Sequence, residues 1–110
     1  MKVSASPENI AAVVDVSDND TEVYPGPALL LGVHVQTVLS SHACPIKDGG
    51  TGSAALFTLP ADAPAGNWYE AGNMRFTTSL HVDPNDAGTG TITVVYIPDN
   101  EGKAGPGYNA

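Results

Sequence analysis

The sequence MRFTTSLHVD, residues 74 to 83, alternates apolar and polar side chains along its whole length. Met74, Phe76, Leu80 and Val82 fall on one side of an extended chain, and His81 falls on the other with the remaining polar residues. A period of two is typical of a strand that buries one face and leaves the other in water. We therefore predict one half-buried strand across this stretch.

The same alternation recurs in Ile10–Val16, Leu29–Val38, Ala55–Leu59 and Thr91–Ile97, while no long segment has the period of a helix. Twelve glycines and nine prolines separate these segments. Six to eight short strands with regular turn signals predict an antiparallel β-sandwich or a jelly-roll-like barrel. We expect its core to contain Leu29, Leu31, Val33, Val35, Phe57, Leu59, Phe76, Leu80, Val82, Ile92 and Val94.

Turn-forming residues predict how the strands are connected. Lys47–Ser53 and Asp83–Gly90 read as hairpin tips, the second one long, and Ala71–Asn73 reads as a tight turn. Trp68–Glu70 is predicted to form a short strand. His42–Ile46 contains a proline, which favours an edge strand, because proline cannot donate a backbone hydrogen bond.

Length and composition limit the organisation of the chain. A chain of 110 residues with one cysteine predicts one domain without an internal disulfide. We place this domain at residues 1–98, with an N-terminal arm at 1–9 and an extended or disordered tail at 99–110. No signal peptide or membrane-spanning run is evident, so we expect synthesis in a cytoplasm. A net charge of −8 argues against nucleic acid and anionic membranes as partners.

Residues that could carry chemistry are scattered. The close spacing of zinc ligands is absent among His34, His42, His81 and Cys44. We expect His34 and His81 on solvent-exposed strand faces and Cys44 in the core. Asp83, Asn85 and Asp86 could bind calcium, but they also suit a turn. No nucleophile is paired with a base in any known motif. The sequence therefore predicts a protein without metal or cofactor that is not an enzyme.

Four residues are candidates for an interface. The strand Thr91–Ile97 is apolar on both faces, so Val95 and Ile97 need a cover, supplied by a partner subunit or by the chain's own loop at Tyr24–Pro27. Trp68 and Tyr69 form an adjacent aromatic pair that suits an interface or partial core. The alternative for this pair is a stacking platform for a sugar.

Four segments carry a resemblance to a known group of proteins. Leu29–Thr37, Ile46–Gly49, Phe76–Pro84 and Gly90–Tyr96 resemble, in their order of strands and turns, small β-rich virion proteins of tailed bacteriophages. The resemblance runs from about Pro27 to Ile97. It implies a head decoration (cement) protein on the capsid surface, bound to the major capsid protein and usually trimeric. It implies no catalytic residues, and the tail after Pro98 departs from the pattern.

Two other functions stay open. A carbohydrate- or receptor-binding module of a phage tail tip or fibre would use an aromatic platform around Trp68 and Tyr69. A bacterial structural or adhesion sandwich would need secretion, and the sequence shows no signal for it. A small enzyme is the least favoured of these functions.

Overall fold

A computed structural model describes residues 9–18, 20–50, 52–84 and 87–99. These residues form eight strands and no helix. The strands are β1 (Ile10–Asp15), β2 (Thr21–Tyr24), β3 (Ala28–Thr37), β4 (Cys44–Asp48), β5 (Ala55–Leu59), β6 (Trp68–Phe76), β7 (Leu80–Val82) and β8 (Thr91–Pro98).

The strands form two antiparallel sheets of four. The first sheet has the order β1-β8-β3-β6 and the second has the order β2-β7-β4-β5. Six of the seven connections between these strands pass from one sheet to the other, and only the β4–β5 hairpin stays within a sheet. This is the strand order of a jelly roll, so the predicted fold class is confirmed.

The predicted single strand over residues 74–83 is wrong. Phe76 ends β6 in the first sheet, and Leu80 begins β7 in the second sheet. The chain turns at Thr77–Ser79 between them. Phe76, Leu80 and Val82 are nevertheless fully buried. The alternation identified their burial correctly, because both strands place these side chains in the layer between the sheets.

The core prediction is wrong at the first half of β3. Leu30 is fully buried, whereas Leu29 and Leu31 are only half-buried. Leu31 is an extra residue opposite β8, where Leu30 pairs with Tyr96 and the next pair is Gly32 with Val95. A β-bulge of this kind shifts the alternation by one position. Among the other predicted core residues, Phe57 is half-buried against the core, and those with no exposed surface are Val33, Val35, Leu59, Phe76, Leu80, Val82, Ile92 and Val94.

The predicted tight turn at Ala71–Asn73 is instead an irregularity inside β6. Gly72 and Asn73 have positive φ angles of 68° and 62°. The pairing of β6 with β3 shifts at the same place, since Leu30 pairs with Met74 and Gly32 pairs with Glu70. The predicted short strand at Trp68–Glu70 is the first third of this long, bent strand.

Two further connections differ from expectation. β4 is an interior strand with β5 and β7 on its two sides, rather than an edge strand. Its proline, Pro45, is the second residue, and the Pro45 carbonyl accepts a hydrogen bond from Asp83. Residues 83–90 join β7 to β8 in the other sheet, so they are not a hairpin tip, whereas the predicted hairpin at Lys47–Ser53 joins β4 to β5 in one sheet.

The last strand, β8, ends at Pro98. Asp99, assigned to the tail, contacts the sandwich through two groups. Its backbone N–H donates to the Pro27 carbonyl at 2.9 Å, and its carboxylate pairs with Arg75. Of the predicted arm and tail, only Asn9 and Asp99 belong to the described residues, and the rest lies outside them.

Candidate interaction face

We call the side of the β1-β8-β3-β6 sheet that points away from the core the outer face. Because side chains alternate along each strand, the registers place neighbouring outer-face residues in rows across the sheet. One row is Ala11, Val95, Gly32 and Glu70; the next is Val13, Thr93, His34 and Trp68; a third contains Ile97, Leu29 and Arg75.

The middle of the outer face is uncharged. Its two central strands, β8 and β3, contain no Asp, Glu, Lys or Arg. Val13, on the neighbouring edge strand, is 67% exposed, and Val95 and Ile97 are half-buried. A largely apolar strip of this kind on a domain surface is typical of a surface that contacts another molecule. The structure thus brings Val95 and Ile97 together with Trp68 on one face.

Trp68 lies across Gly32 on this face. A Cβ atom added to Gly32 would stand 2.8 Å from Cε2 of Trp68 and 2.7 Å from the carbonyl oxygen of Tyr69, so only glycine fits. The indole Nε1–H donates to a carboxylate oxygen of Glu70 at 2.9 Å, and the other oxygen accepts from the Gly72 N–H at 3.1 Å. Trp68 is held on two sides and still keeps 46% of its surface exposed.

Tyr69 does not belong to the outer face. It is paired with the buried Val33, and its ring packs against the core. Its hydroxyl accepts a hydrogen bond from the Asn67 side chain at 3.3 Å. Trp68 and Tyr69 are consecutive residues of one strand, so they point to opposite sides of the sheet. They therefore cannot form one aromatic platform.

Tyr24, the first residue of the loop Tyr24–Pro27, does not cover Val95 and Ile97. The Tyr24 ring packs on Tyr96, with 5.6 Å between the ring centroids. Tyr96 is 5% exposed and points into the core. Tyr24 therefore lies on the inner side of β8, and Val95 and Ile97 lie on the other side.

The second sheet has an outer surface of a different character. Lys47 pairs with Asp83 at 2.8 Å. His81 Nδ1 lies 2.7 Å from Asp20, and its Nε2 lies 3.4 Å from Glu22. Polar groups on this side satisfy one another, whereas the centre of the outer face has no charged side chain and combines apolar residues with Thr93 and His34.

Asp48 joins the two sheets at the β6–β7 corner. Its carboxylate accepts hydrogen bonds from the backbone N–H groups of Thr77, Thr78 and Ser79 and from the Thr77 hydroxyl, at 2.7 to 3.2 Å. Partial burial raises the pKa of Asp48, but these four donors together outweigh it and lower the pKa below its usual value. Asp48 therefore has a structural role.

Cys44 is fully buried, and burial together with the nearby charge of Asp83 raises the pKa of its thiol to about 12. It is the core cysteine that the sequence predicts. Within the described residues, no three His, Cys, Asp or Glu side chains are placed to hold a metal ion. Asn85 and Asp86, named as possible calcium ligands, lie outside those residues.

Sequence reasoning identified Val95, Ile97 and Trp68 as interface candidates but missed the other members of the outer face, among them Ala11, Val13 and Gly32. The alternation in Ile10–Val16 already places Val13 opposite the buried Val14. A glycine inside a strand is a known sign of close approach by another group, and here Trp68 is that group.

The described residues contain no helix that is long and apolar enough to cross a membrane. The chain matches no family model, no curated protein and no solved structure.

Proposed function

We propose that this protein is a structural virion protein of a tailed bacteriophage. In this proposal it decorates and stabilises the capsid as a homotrimer bound to the lattice of the major capsid protein. The observation that carries the proposal is the middle of the outer face, a largely apolar strip without Asp, Glu, Lys or Arg on an otherwise acidic protein. Jelly rolls are common in viral capsid and lectin domains, which supports a virion role.

The charges support docking onto a basic surface. The chain carries twelve acidic residues against four basic ones. Lys47 and Arg75, the two bases among the described residues, are paired with Asp83 and Asp99. A capsid lattice with a basic patch would attract this acidic protein at long range. At short range the lattice would contact the apolar side chains of the outer face. Binding should therefore weaken as salt concentration rises, without being abolished.

The test is co-sedimentation of the purified chain with expanded phage capsids, comparing two single variants. Val95→Glu places a charge in the middle of the outer face, and Val38→Glu places the same charge on an exposed valine after β3, outside the strands. We expect Val95→Glu to weaken binding at least tenfold and Val38→Glu to bind like the parent chain. Equal binding by both variants, or no binding by the parent chain, would count against the proposal.

A second function is favoured by one observation, the exposed indole of Trp68. A carbohydrate-binding module of a tail tip or fibre would stack a sugar ring on such a surface. Trp68 is the single tryptophan, so its fluorescence reports on this surface alone. Saturable change of the emission on titration with host-surface oligosaccharides, with no binding to capsids, would favour this function over decoration.

A further inference from the structure

The free edges of the two sheets differ in how well they are protected against added strands. An edge strand exposes unpaired N–H and C=O groups, and proteins usually protect such strands with bulges, charges or short length. β2 has four residues and an irregular register, β5 skips Leu56 in its pairing with β4, and β6 is distorted at Gly72. Three of the four edges are therefore irregular.

β1 is the exception. All six of its residues pair with β8 in an unbroken register, from Ile10 with Tyr96 to Asp15 with Thr91. Its first five residues are uncharged, and Asp15 ends the strand. Ile10 and Val13 lie on opposite sides of the strand and are 40% and 67% exposed. Among the described edge strands, β1 alone combines an unbroken register with a mostly apolar sequence.

Several acidic residues lie at the C-terminal end of β1. Asp15 is followed by Asp18, Asp20 and Glu22 within one turn and the start of β2. Asp15 accepts hydrogen bonds from the Ser17 hydroxyl and N–H at 2.6 and 2.9 Å, and these hydrogen bonds lower its pKa. The charge pattern along the edge is thus a neutral strand that leads to a negative end.

We propose that β1 accepts an extended segment of another protein, which adds as an antiparallel strand and carries Lys or Arg at its N-terminal end. Every strand pair in both sheets is antiparallel, so the N-terminal end of an added strand lies beside Asp15. Its apolar residues would extend the outer face beyond Ala11 and Val13. If the proposed function is correct, this segment belongs to the major capsid protein. The identity of the partner rests on the proposed function, whereas the addition of a strand to β1 does not.

Charge favours a foreign segment over β1 of a second copy. Two antiparallel copies of β1 in full register would bring Ile10 of one chain beside Asp15 of the other. β1 contains no Lys or Arg, so neither Asp15 would gain an opposite charge from the β1 of the other copy. A foreign segment with Lys or Arg at its N-terminal end would instead place a positive charge beside Asp15.

The test uses synthetic peptides as probes and needs no capsid. The first peptide is acetyl-KRVTVTV-amide, the second replaces the bases to give acetyl-EEVTVTV-amide, and the third has proline at the central valine. NMR shifts and hydrogen exchange of backbone amides in residues 10–15 report binding at the β1 edge. We expect saturable binding and at least tenfold slower exchange with the first peptide, at least tenfold weaker binding of the second, and none of the third.

Two variants of the chain complete the test. Val13→Lys places a charge on the β1 edge, and Val38→Lys makes the same change on an exposed valine outside the strands. We expect at least fivefold weaker peptide binding for Val13→Lys and no change for Val38→Lys. Absence of saturable binding, equal binding of the basic and acidic peptides, protection at β5 or β6 instead, or concentration-dependent self-pairing through β1 would each overturn the proposal. Failure of capsid binding alone would instead count against the proposed function.

Discussion

Asp48 accepts two hydrogen bonds from Thr77, one from its backbone N–H and one from its hydroxyl, both 2.9 Å long. Asp48 ends β4 in the second sheet, and Thr77 directly follows β6 in the first sheet. This pair therefore fixes the corner at which the chain leaves one sheet for the other. Thr78 and Ser79 donate to the same carboxylate, so one side chain satisfies the backbone of the whole turn.

Replacing Asp48 should destabilise the protein in a pH-dependent manner. We expect Asp48→Asn to lower the free energy of unfolding by about 1–3 kcal/mol at neutral pH, because charge-assisted hydrogen bonds are lost. The lowered pKa means that the carboxylate stabilises the fold above its unfolded pKa of about 3.8 and loses this effect as pH falls through the folded value. Urea unfolding at neutral and acidic pH measures the difference between variant and parent, which should shrink in acid. Asp62→Asn, at an exposed loop position, is the control, and a constant difference across pH would contradict the prediction.

The thiol of Cys44 should be unreactive in the folded protein. Because its pKa is raised to about 12, only about one molecule in ten thousand carries a thiolate at pH 8, and the side chain has no exposed surface. We expect no labelling by iodoacetamide at pH 8 over hours and complete labelling in concentrated urea, measured by mass spectrometry. Rapid labelling of the native chain would show that Cys44 is not in the core.

Leu80→Ala should cost about 2–5 kcal/mol of unfolding free energy, because it removes buried methyl groups and leaves a cavity. Leu56→Ala removes the same groups from a side chain that is 42% exposed, and it should cost much less. Urea denaturation of both variants measures the two losses. Equal losses would mean that the inner side of β7 is not part of the core.

Gly32→Ala should displace the indole of Trp68. The new Cβ would stand too close to the ring and to the Tyr69 carbonyl oxygen, so we expect a loss of about 1–3 kcal/mol in stability. The single tryptophan should shift its emission to longer wavelength as it moves into water. Gly52→Ala is the control for the emission: its Cβ would meet nothing within 4 Å, so the spectrum should match the parent, although its φ of 95° strains an alanine and costs stability. An unshifted spectrum for Gly32→Ala would contradict the described position of Trp68.

Leu30 and Val33 show why alternation alone could not give the whole core. Both side chains are fully buried, yet they are three positions apart and would face opposite sides of a regular strand. The extra residue Leu31 reverses the alternation between them. A bulge is set by pairing with a distant strand, so the local sequence contains little information about it. From Val33 onward, where pairing is regular until Val35, the prediction is confirmed.

The candidate site was predictable to a similar extent. The apolar character of both sides of β8 predicts that Val95 and Ile97 need a cover, and the structure describes them as half-buried on the outer face. Adjacency in the sequence groups Tyr69 with Trp68, although adjacent residues of a strand point to opposite faces. That the two strands of residues 74–83 belong to different sheets could not be foreseen, since the hydrogen bonds that turn the chain come from Asp48, far away in sequence.

The position of β8 determines when this fold can form. β8 lies between β1 and β3, so the first strand of the chain has no partner among the described strands until the eighth has been synthesised. Pairing residues 10–15 with residues 91–96 requires closing a loop that includes nearly all of the sandwich, and such distant contacts slow folding to the range of milliseconds to seconds. The first sheet is therefore completed only after translation has passed β8, when the first and last strands of the described chain pair with each other.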